Sequence, residues 1–333
     1  MTATRVAVMG AGSWGTAFAM VLCDAGNHVR LWARRPELAA AINAQRRNIE
    51  YFPALTLPEN LTAISDPMEA MDRADFVVLA VPSQTLRRNL KEWTLPADAI
   101  VVSLAKGIEL GTGLRMSEVI AEASGVPPDR IAVVTGPNLA GEIAARQPSA
   151  SVVASSALPT AEALQAACHT ARFRAYTNPD VVGCELGGAT KNVIALAVGM
   201  AIGLGLGANA NASVITRGLA EIARLGTALG ADPHTFSGLA GLGDLVATCL
   251  SPLSRNRHFG EELGKGHTVA EISASTRQVA EGVKSCASIE ELAERHGVEM
   301  PIVAAVADVI AGRITPPEMI NSLMSRSAKP ERY

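Results

Sequence analysis

The sequence predicts an α/β chain: an N-terminal doubly wound, Rossmann-type parallel sheet followed by an all-helical C-terminal domain. Three observations carry this expectation. Short β-branched runs alternate with helical stretches in the first half, a glycine-rich turn follows the first run, and strand signal stops after about residue 180. Alternating strand and helix is the pattern of a parallel sheet, because each crossover needs a helix-sized connection.

The elements follow in order. Arg5–Met9, His28–Ala33, Asp75–Val81, Ala99–Ala105 and Arg130–Thr135 read as buried strands, each ending in Gly, Pro or a polar turn. Phe76-Val77-Val78-Leu79-Ala80-Val81 is continuously apolar, which suits a sheet covered on both faces. Ser151–Ala154 and Phe173–Tyr176 add two candidate strands, and Thr16–Ala25 a candidate helix. In the second half Val214–Leu229, Ser288–His296 and Pro301–Ala311 space apolar residues by three and four. Pro301 and Pro317 open helices there, and Gly230 and Gly297 close them.

Composition bounds the function. A chain of 333 residues with 48% hydrophobic residues suggests about two domains with large cores. A net charge of −3 gives no basic field for nucleic acid and no polybasic stretch for anionic lipid. Any anionic substrate has to be held by local charges. The five cysteines are odd in number and lack a Cys-x-x-Cys, so neither a disulfide framework nor a zinc site is expected. The six histidines are scattered without metal spacing. The N-terminus runs into a strand too short for a signal-peptide core, so secretion is not expected. No charge occurs between Lys191 and Arg217, but Val193–Ala208 is broken by glycines and falls short of a membrane span of about 20 residues. A helix buried inside the second domain, not membrane insertion, is the expectation.

Gly10-Ala11-Gly12-Ser13-Trp14-Gly15 matches G-x-G-x-x-G between a strand and a helix. Gly10 serves the tight turn, Gly12 the approach of a pyrophosphate, and Gly15 close helix–strand packing. The free N–H groups at the helix start favour the phosphates. The domains are accordingly expected at 1–180, binding a dinucleotide, and 181–333, binding the substrate. The second strand ends in Leu31-Trp32-Ala33-Arg34-Arg35-Pro36, where NAD enzymes usually carry an acidic residue; Glu37 comes too late. Two guanidiniums there favour NADP(H) over NAD(H), unless they form a solvated turn; use of both cofactors stays open.

Lysine is scarce. Lys106 ends an apolar strand, at the sheet edge where ligands bind. Lys191 leads into the charge-free stretch, so it is either paired across the domains or faces a cavity. Partial burial lowers a lysine pKa, which suits proton transfer to a carbonyl oxygen during hydride transfer. Asp244, among glycines and leucines, is either a helix cap or the partner of a buried cation. Ser254-Arg255-Asn256-Arg257 is either a phosphate clamp or a solvated helix start. Gly136-Pro137-Asn138-Leu139-Ala140 follows the fifth strand at the ligand edge.

Together these segments resemble the bacterial-type NAD(P)-dependent glycerol-3-phosphate dehydrogenases from end to end. The likeness rests on Gly10–Ala17, Ala80–Ser83, Ala105–Gly107, Lys191–Ala195, Ile215–Glu221, Gly238–Cys249, Ser254–Arg257 and Val279–Val283. It implies interconversion of sn-glycerol 3-phosphate and dihydroxyacetone phosphate, with the reduced product feeding phospholipid synthesis. Position by position, it implies that Lys191 transfers the proton. Lys106, Gly136, Asn138, Lys191, Asp244, Ser254, Arg255 and Asn256 would contact the small phosphorylated substrate. Ser13, Trp14, Arg34, Lys106, Ala140, Arg255, Val279 and Glu281 would surround the cofactor, beside Gly10, Gly12, Gly15 and Arg35. Asn138-Leu139 departs from the family's small hydroxyl residue and Phe, so a shifted substrate contact is expected there. The rivals are a related two-domain dehydrogenase of another hydroxy acid or sugar acid, and a non-catalytic NADP-binding sensor. The Gly-Leu-Gly-Asp and Ser-Arg-Asn segments argue against the first, and the assembled Lys106, Lys191, Asp244 and Arg255 against the second. A homodimer and an internal core account equally for the apolar helices.

Overall fold

The computed structural model describes residues 4–275, 280–328 and 330–331. One sheet holds β1 (Arg5–Met9), β2 (His28–Trp32), β3 (Leu61–Ile64), β4 (Phe76–Leu79), β5 (Ile100–Ser103), β6 (Ile131–Thr135), β7 (Ser149–Ala154) and β8 (Phe173–Asn178). Their order is β3-β2-β1-β4-β5-β6-β7-β8, a doubly wound sheet that reverses direction between β1 and β4. Each predicted strand is present, and β3 is an addition. Its four residues at the sheet edge are only half buried, and so short a run carries little sequence signal.

The sheet is not parallel throughout. β7 runs antiparallel to β6 and parallel to β8. Between β6 and β7 the chain has only the five-residue helix Ala140–Ala144, too little for a crossover, so it turns back on itself. Between β7 and β8 the helix Leu158–Cys168 restores the crossover and the parallel sense. Both faces are covered. Val6 and Val8 join a core with Phe18, Leu22 and Phe173, while Ala7 and Met9 join one with Leu86, Trp93 and Met116. That is why the strands read as unbroken apolar runs.

After β8 the described chain is helical, built around Val181–Gly203. This helix is long and apolar enough to cross a bilayer, but every residue from Gly183 to Ala201 is buried within the protein. Its glycines explain the fit. A Cβ at Gly199 would lie 2.1 Å from Arg257 O, and one at Gly260 2.1 Å from Leu196 O, so this helix and Arg255–Gly264 touch backbone to backbone. The helix begins ten residues before Lys191, where the Asp180 carboxylate accepts from Gly183 N at 2.8 Å. Lys191 therefore sits in mid-helix instead of leading into one.

The two halves interlock through the segment after β5. Ile108 is fully buried in the helical core. Arg115 donates to the buried Glu185 carboxylate at 2.7 Å, and Arg295 to Thr112 O at 3.0 Å.

Candidate active site

β1, β4, β5 and β6 end side by side, with Met9 beside Leu79, Leu79 beside Ser103, and Ser103 beside Val133. The glycine-rich turn follows β1 at this edge, next to the reversal point of the sheet. Gly10 has φ +138°, and a Cβ there would lie 2.6 Å from Ala80 O. A Cβ at Gly15 would come within 2.0 Å of Gly10 O. A Cβ on Gly12 would meet no atom within 4 Å, which leaves the backbone approachable. The helix Ser13–Asp24 has no side-chain cap and no acidic residue in its first turn. The Trp14 indole Nε1 is buried without a protein partner among the described residues. Bare N–H groups, an open glycine and a spare indole donor fit the diphosphate of a dinucleotide.

The far end of that site lies after β2. Arg34 and Arg35 are both exposed, and Arg35 forms an ion pair with Glu50. The loop carrying Glu50 is pinned by Asn48, fully buried, which donates to Ala11 O at 3.0 Å and Thr16 Oγ1 at 2.9 Å. Asn48 was not foreseen from the sequence. A lone amide in a polar loop carries no periodic signal.

Beyond β5, Lys106 Nζ donates to Asp244 Oδ2 at 2.6 Å and to Gly136 O at 3.3 Å. Lys191 Nζ bonds the other Asp244 oxygen and donates to Thr248 Oγ1 at 2.6 Å. One carboxylate, 1% exposed, thus joins a lysine that follows β5 to a lysine of the helical region. Asp244 is the partner of buried cations, and the cap alternative falls away: it is the first residue of its helix, with no side-chain bond to the helix N-terminus. Burial pushes the Lys191 pKa down to about 8, with Lys106 adding to the fall and Asp244 opposing it. The glycines of the sequence pattern make the meeting possible. A Cβ at Gly187 would lie 2.5 Å from Ala240 O, and one at Gly188 2.9 Å from Thr135 Oγ1.

The other predicted residues differ in what they touch. Asn256 donates to Asn192 Oδ1 at 2.9 Å and accepts from Gly282 N at 2.9 Å, so its amide is fixed next to the residue after Lys191. Glu281 is the first residue of the helix Glu281–Arg295. Burial pushes its carboxyl up, against the pull of Arg255, Lys106 and Lys191, which places those charges in one field. Ser254 caps the helix Arg255–Gly264 by accepting from Arg257 N at 3.2 Å, and Arg255 is exposed at its first position. Arg257 instead pairs along its own helix with Glu261 at 3.3 Å. Asn138 donates to Ser151 Oγ at 3.0 Å, and its buried Oδ1 has no protein partner among the described residues. Ala140 begins a short helix packed on the sheet core. Val279 lies outside the described residues. Thr248 and Asn192 were missed, although Thr248 stands one helical turn after Asp244 and Asn192 directly follows Lys191. A cavity of about 770 Å³ lined by Arg115, Val152, His234 and Leu239 contains none of the predicted residues, so cavity size does not locate the chemistry.

A glycine-rich dinucleotide turn at the sheet edge, together with a lysine–aspartate–lysine cluster that joins the sheet to the helical region, defines a nicotinamide-dependent dehydrogenase. Comparison with known proteins narrows this. Residues 5–161 match the model for the NAD-dependent glycerol-3-phosphate dehydrogenase N-terminus, and residues 180–321 that for its C-terminus. Glycerol-3-phosphate dehydrogenase [NAD(P)+] of Streptomyces avermitilis is 63% identical over 333 residues, 99% of each chain. That of Thermobifida fusca is 61% identical over 333 residues, again 99% of each. The crystal structure of glycerol-3-phosphate dehydrogenase from Coxiella burnetii has a TM-score of 0.93 at 37% identity, covering 97% of this chain and 99% of that one. The chain belongs to the NAD(P)-dependent glycerol-3-phosphate dehydrogenase family, oxidoreductases that interconvert sn-glycerol 3-phosphate and dihydroxyacetone phosphate.

Proposed function

We propose that Lys191 is the proton-transferring residue of this reaction, with Lys106, Asp244, Arg255 and Asn256 as the substrate-holding groups. The carrying observation is the Asp244 carboxylate shared by two lysines from different domains. A bound nicotinamide supplies or accepts the hydride at the substrate carbon. In the reductive direction protonated Lys191 gives a proton from Nζ to the carbonyl oxygen; in oxidation neutral Lys191 takes it back. A pKa of about 8 leaves both forms within reach near neutral pH. Asp244 keeps the two ammonium groups close despite their repulsion, and Lys106 orients the oxygen-bearing end. The substrate phosphate suits the start of the Arg255–Gly264 helix, which carries the Arg255 guanidinium and the Asn256 amide in its first turn.

The division near residue 180 belongs to the same proposal: the sheet takes the dinucleotide and the helices the substrate. So do Gly136, Asn138 and Ser254 as further substrate contacts, and Ser13, Trp14, Arg34, Arg35, Ala140, Val279 and Glu281 around the cofactor. NADP(H) is the favoured cofactor on the strength of Arg34 and Arg35, with NAD(H) also used. A cytoplasmic location, suited to a supplier of phospholipid precursor, belongs to the same reading, and a homodimer is compatible with it. The test is loss of NADPH, and separately NADH, absorbance on adding dihydroxyacetone phosphate. Folded protein that binds NADPH but shows no substrate-dependent loss would overturn the reading.

A further inference from the structure

Arg35, one of the two cations after β2, is already engaged. Its guanidinium meets the Glu50 carboxylate, while Arg34 is not part of that pair. Glu50 is held in place by both flanks. Asn48 is locked onto Ala11 of the glycine-rich turn and Thr16 of the helix that follows it, and Phe52 is buried in the sheet core, with its N–H bonded to Asn48 O at 2.7 Å. Arg35 is equally fixed, since it immediately precedes the helix Pro36–Gln45. The pair is thus set by two anchored backbones, although both side chains are about half exposed, at 48% and 41%.

We propose that Glu50 is a cofactor-selectivity residue: by occupying Arg35 it weakens the site's grip on a 2′-phosphate and keeps the unphosphorylated dinucleotide competitive. This rests on the reading that the turn after β2 faces the adenosine ribose. The chemistry works in both directions. A carboxylate beside the ribose accepts from a free 2′-hydroxyl, as acidic residues at this turn do in NAD enzymes, and repels a 2′-phosphate. A guanidinium does the reverse, binding phosphate through two parallel N–H bonds. To bind the phosphorylated form, Arg35 must exchange Glu50 for the ligand.

The test is calorimetric binding of 2′,5′-ADP and of 5′-ADP to wild type, Glu50→Gln, Arg35→Ala and the double variant, with melting temperatures as a check on folding. An exposed ion pair is worth enough that Glu50→Gln should tighten 2′,5′-ADP by about 1.5- to 5-fold and leave 5′-ADP unchanged or weaker. The gain should vanish when Arg35 is also replaced. If Arg35→Ala weakens 2′,5′-ADP but Glu50→Gln leaves the ratio of the two ligands unchanged, the proposal fails while the cofactor site stands. Equal shifts for both ligands also overturn it, because they report a disturbed loop. If neither variant alters 2′,5′-ADP binding, the placement of the ribose at this turn is what fails.

Discussion

Asp244→Asn keeps the shape of the side chain and removes the charge that Lys106 and Lys191 share. In the wild-type protein burial lowers the Lys191 pKa to about 8, and Asp244 is the main group resisting a further fall. A carboxylate in direct contact moves a neighbour's pKa by roughly 1–3, so the variant's Lys191 should titrate at roughly 5–7. At pH 7 the protonated fraction then drops from about 0.9 to somewhere between roughly 0.5 and 0.01. Reduction of dihydroxyacetone phosphate, which needs the protonated lysine, should slow at pH 7 by about 2- to 90-fold from this cause alone. The pH profile is the sharper readout. Wild-type reduction should fall as pH rises through about 8, and oxidation should climb through the same region. In Asp244→Asn both inflections should move to lower pH. An inflection that stays near 8, whatever happens to kcat, would refute the claim that Asp244 acts by holding the proton on Lys191.

Three other outcomes are expected. Lys191→Ala should lower kcat by about 10²- to 10⁴-fold while NADPH affinity, measured by fluorescence titration, stays within a factor of about two; near-normal turnover would remove Lys191 from the mechanism. Gly15→Ala would place a Cβ 2.0 Å from Gly10 O, so the turn must shift. Dinucleotide affinity should weaken by about tenfold or more, and unchanged calorimetric affinity would contradict the packing argument. Burial raises the Glu221 carboxyl from 4.5 to about 7, although it accepts from Ile302 N at 2.8 Å. The folded state therefore holds this proton more tightly than the unfolded chain. That contribution is complete below pH 4.5 and is lost as pH rises through about 7, roughly 3 kcal/mol in all. Urea unfolding of Glu221→Gln should gain on wild type by most of that amount between pH 5 and pH 8; parallel stability curves would show that Glu221 does not titrate in this range.

The sheet was legible in the sequence because its strands are buried on both faces, and a run such as Phe76–Leu79 then carries no polar interruption. β3 lacked that signal: Thr62 is exposed, and only Leu61 and Ala63 are fully buried. The antiparallel turn into β7 depended on connection length, which the strand pattern does not encode. In the site, Lys106, Lys191 and Asp244 stood out as charges in apolar surroundings, the costliest arrangement to leave unpaired. Their meeting was not legible, since it joins residues 138 and 53 positions apart. Thr248 and Asn192 are ordinary polar residues until Lys191 and Asn256 are brought to them. Arg35 shows the opposite limit: the residue was visible, but its engagement by Glu50 requires the loop that Asn48 folds over the cofactor turn.

The interlock between the sheet and the helical region fixes the geometry of the site. Lys106 lies two residues before Ile108, whose side chain is wholly buried in the helical core. Withdrawing an isoleucine from such a core costs roughly 1.5–3 kcal/mol, before Arg115 is parted from a Glu185 carboxylate only 4% exposed. Gly107 is pinched as well, since a Cβ there would lie 2.7 Å from Ser83 Oγ and 3.6 Å from Ser285 Oγ of the helical domain. The backbone that presents Lys106 is therefore tied to the domain that holds Lys191 and Asp244. Proton transfer needs a fixed geometry, and this interlock holds the three charged groups in one.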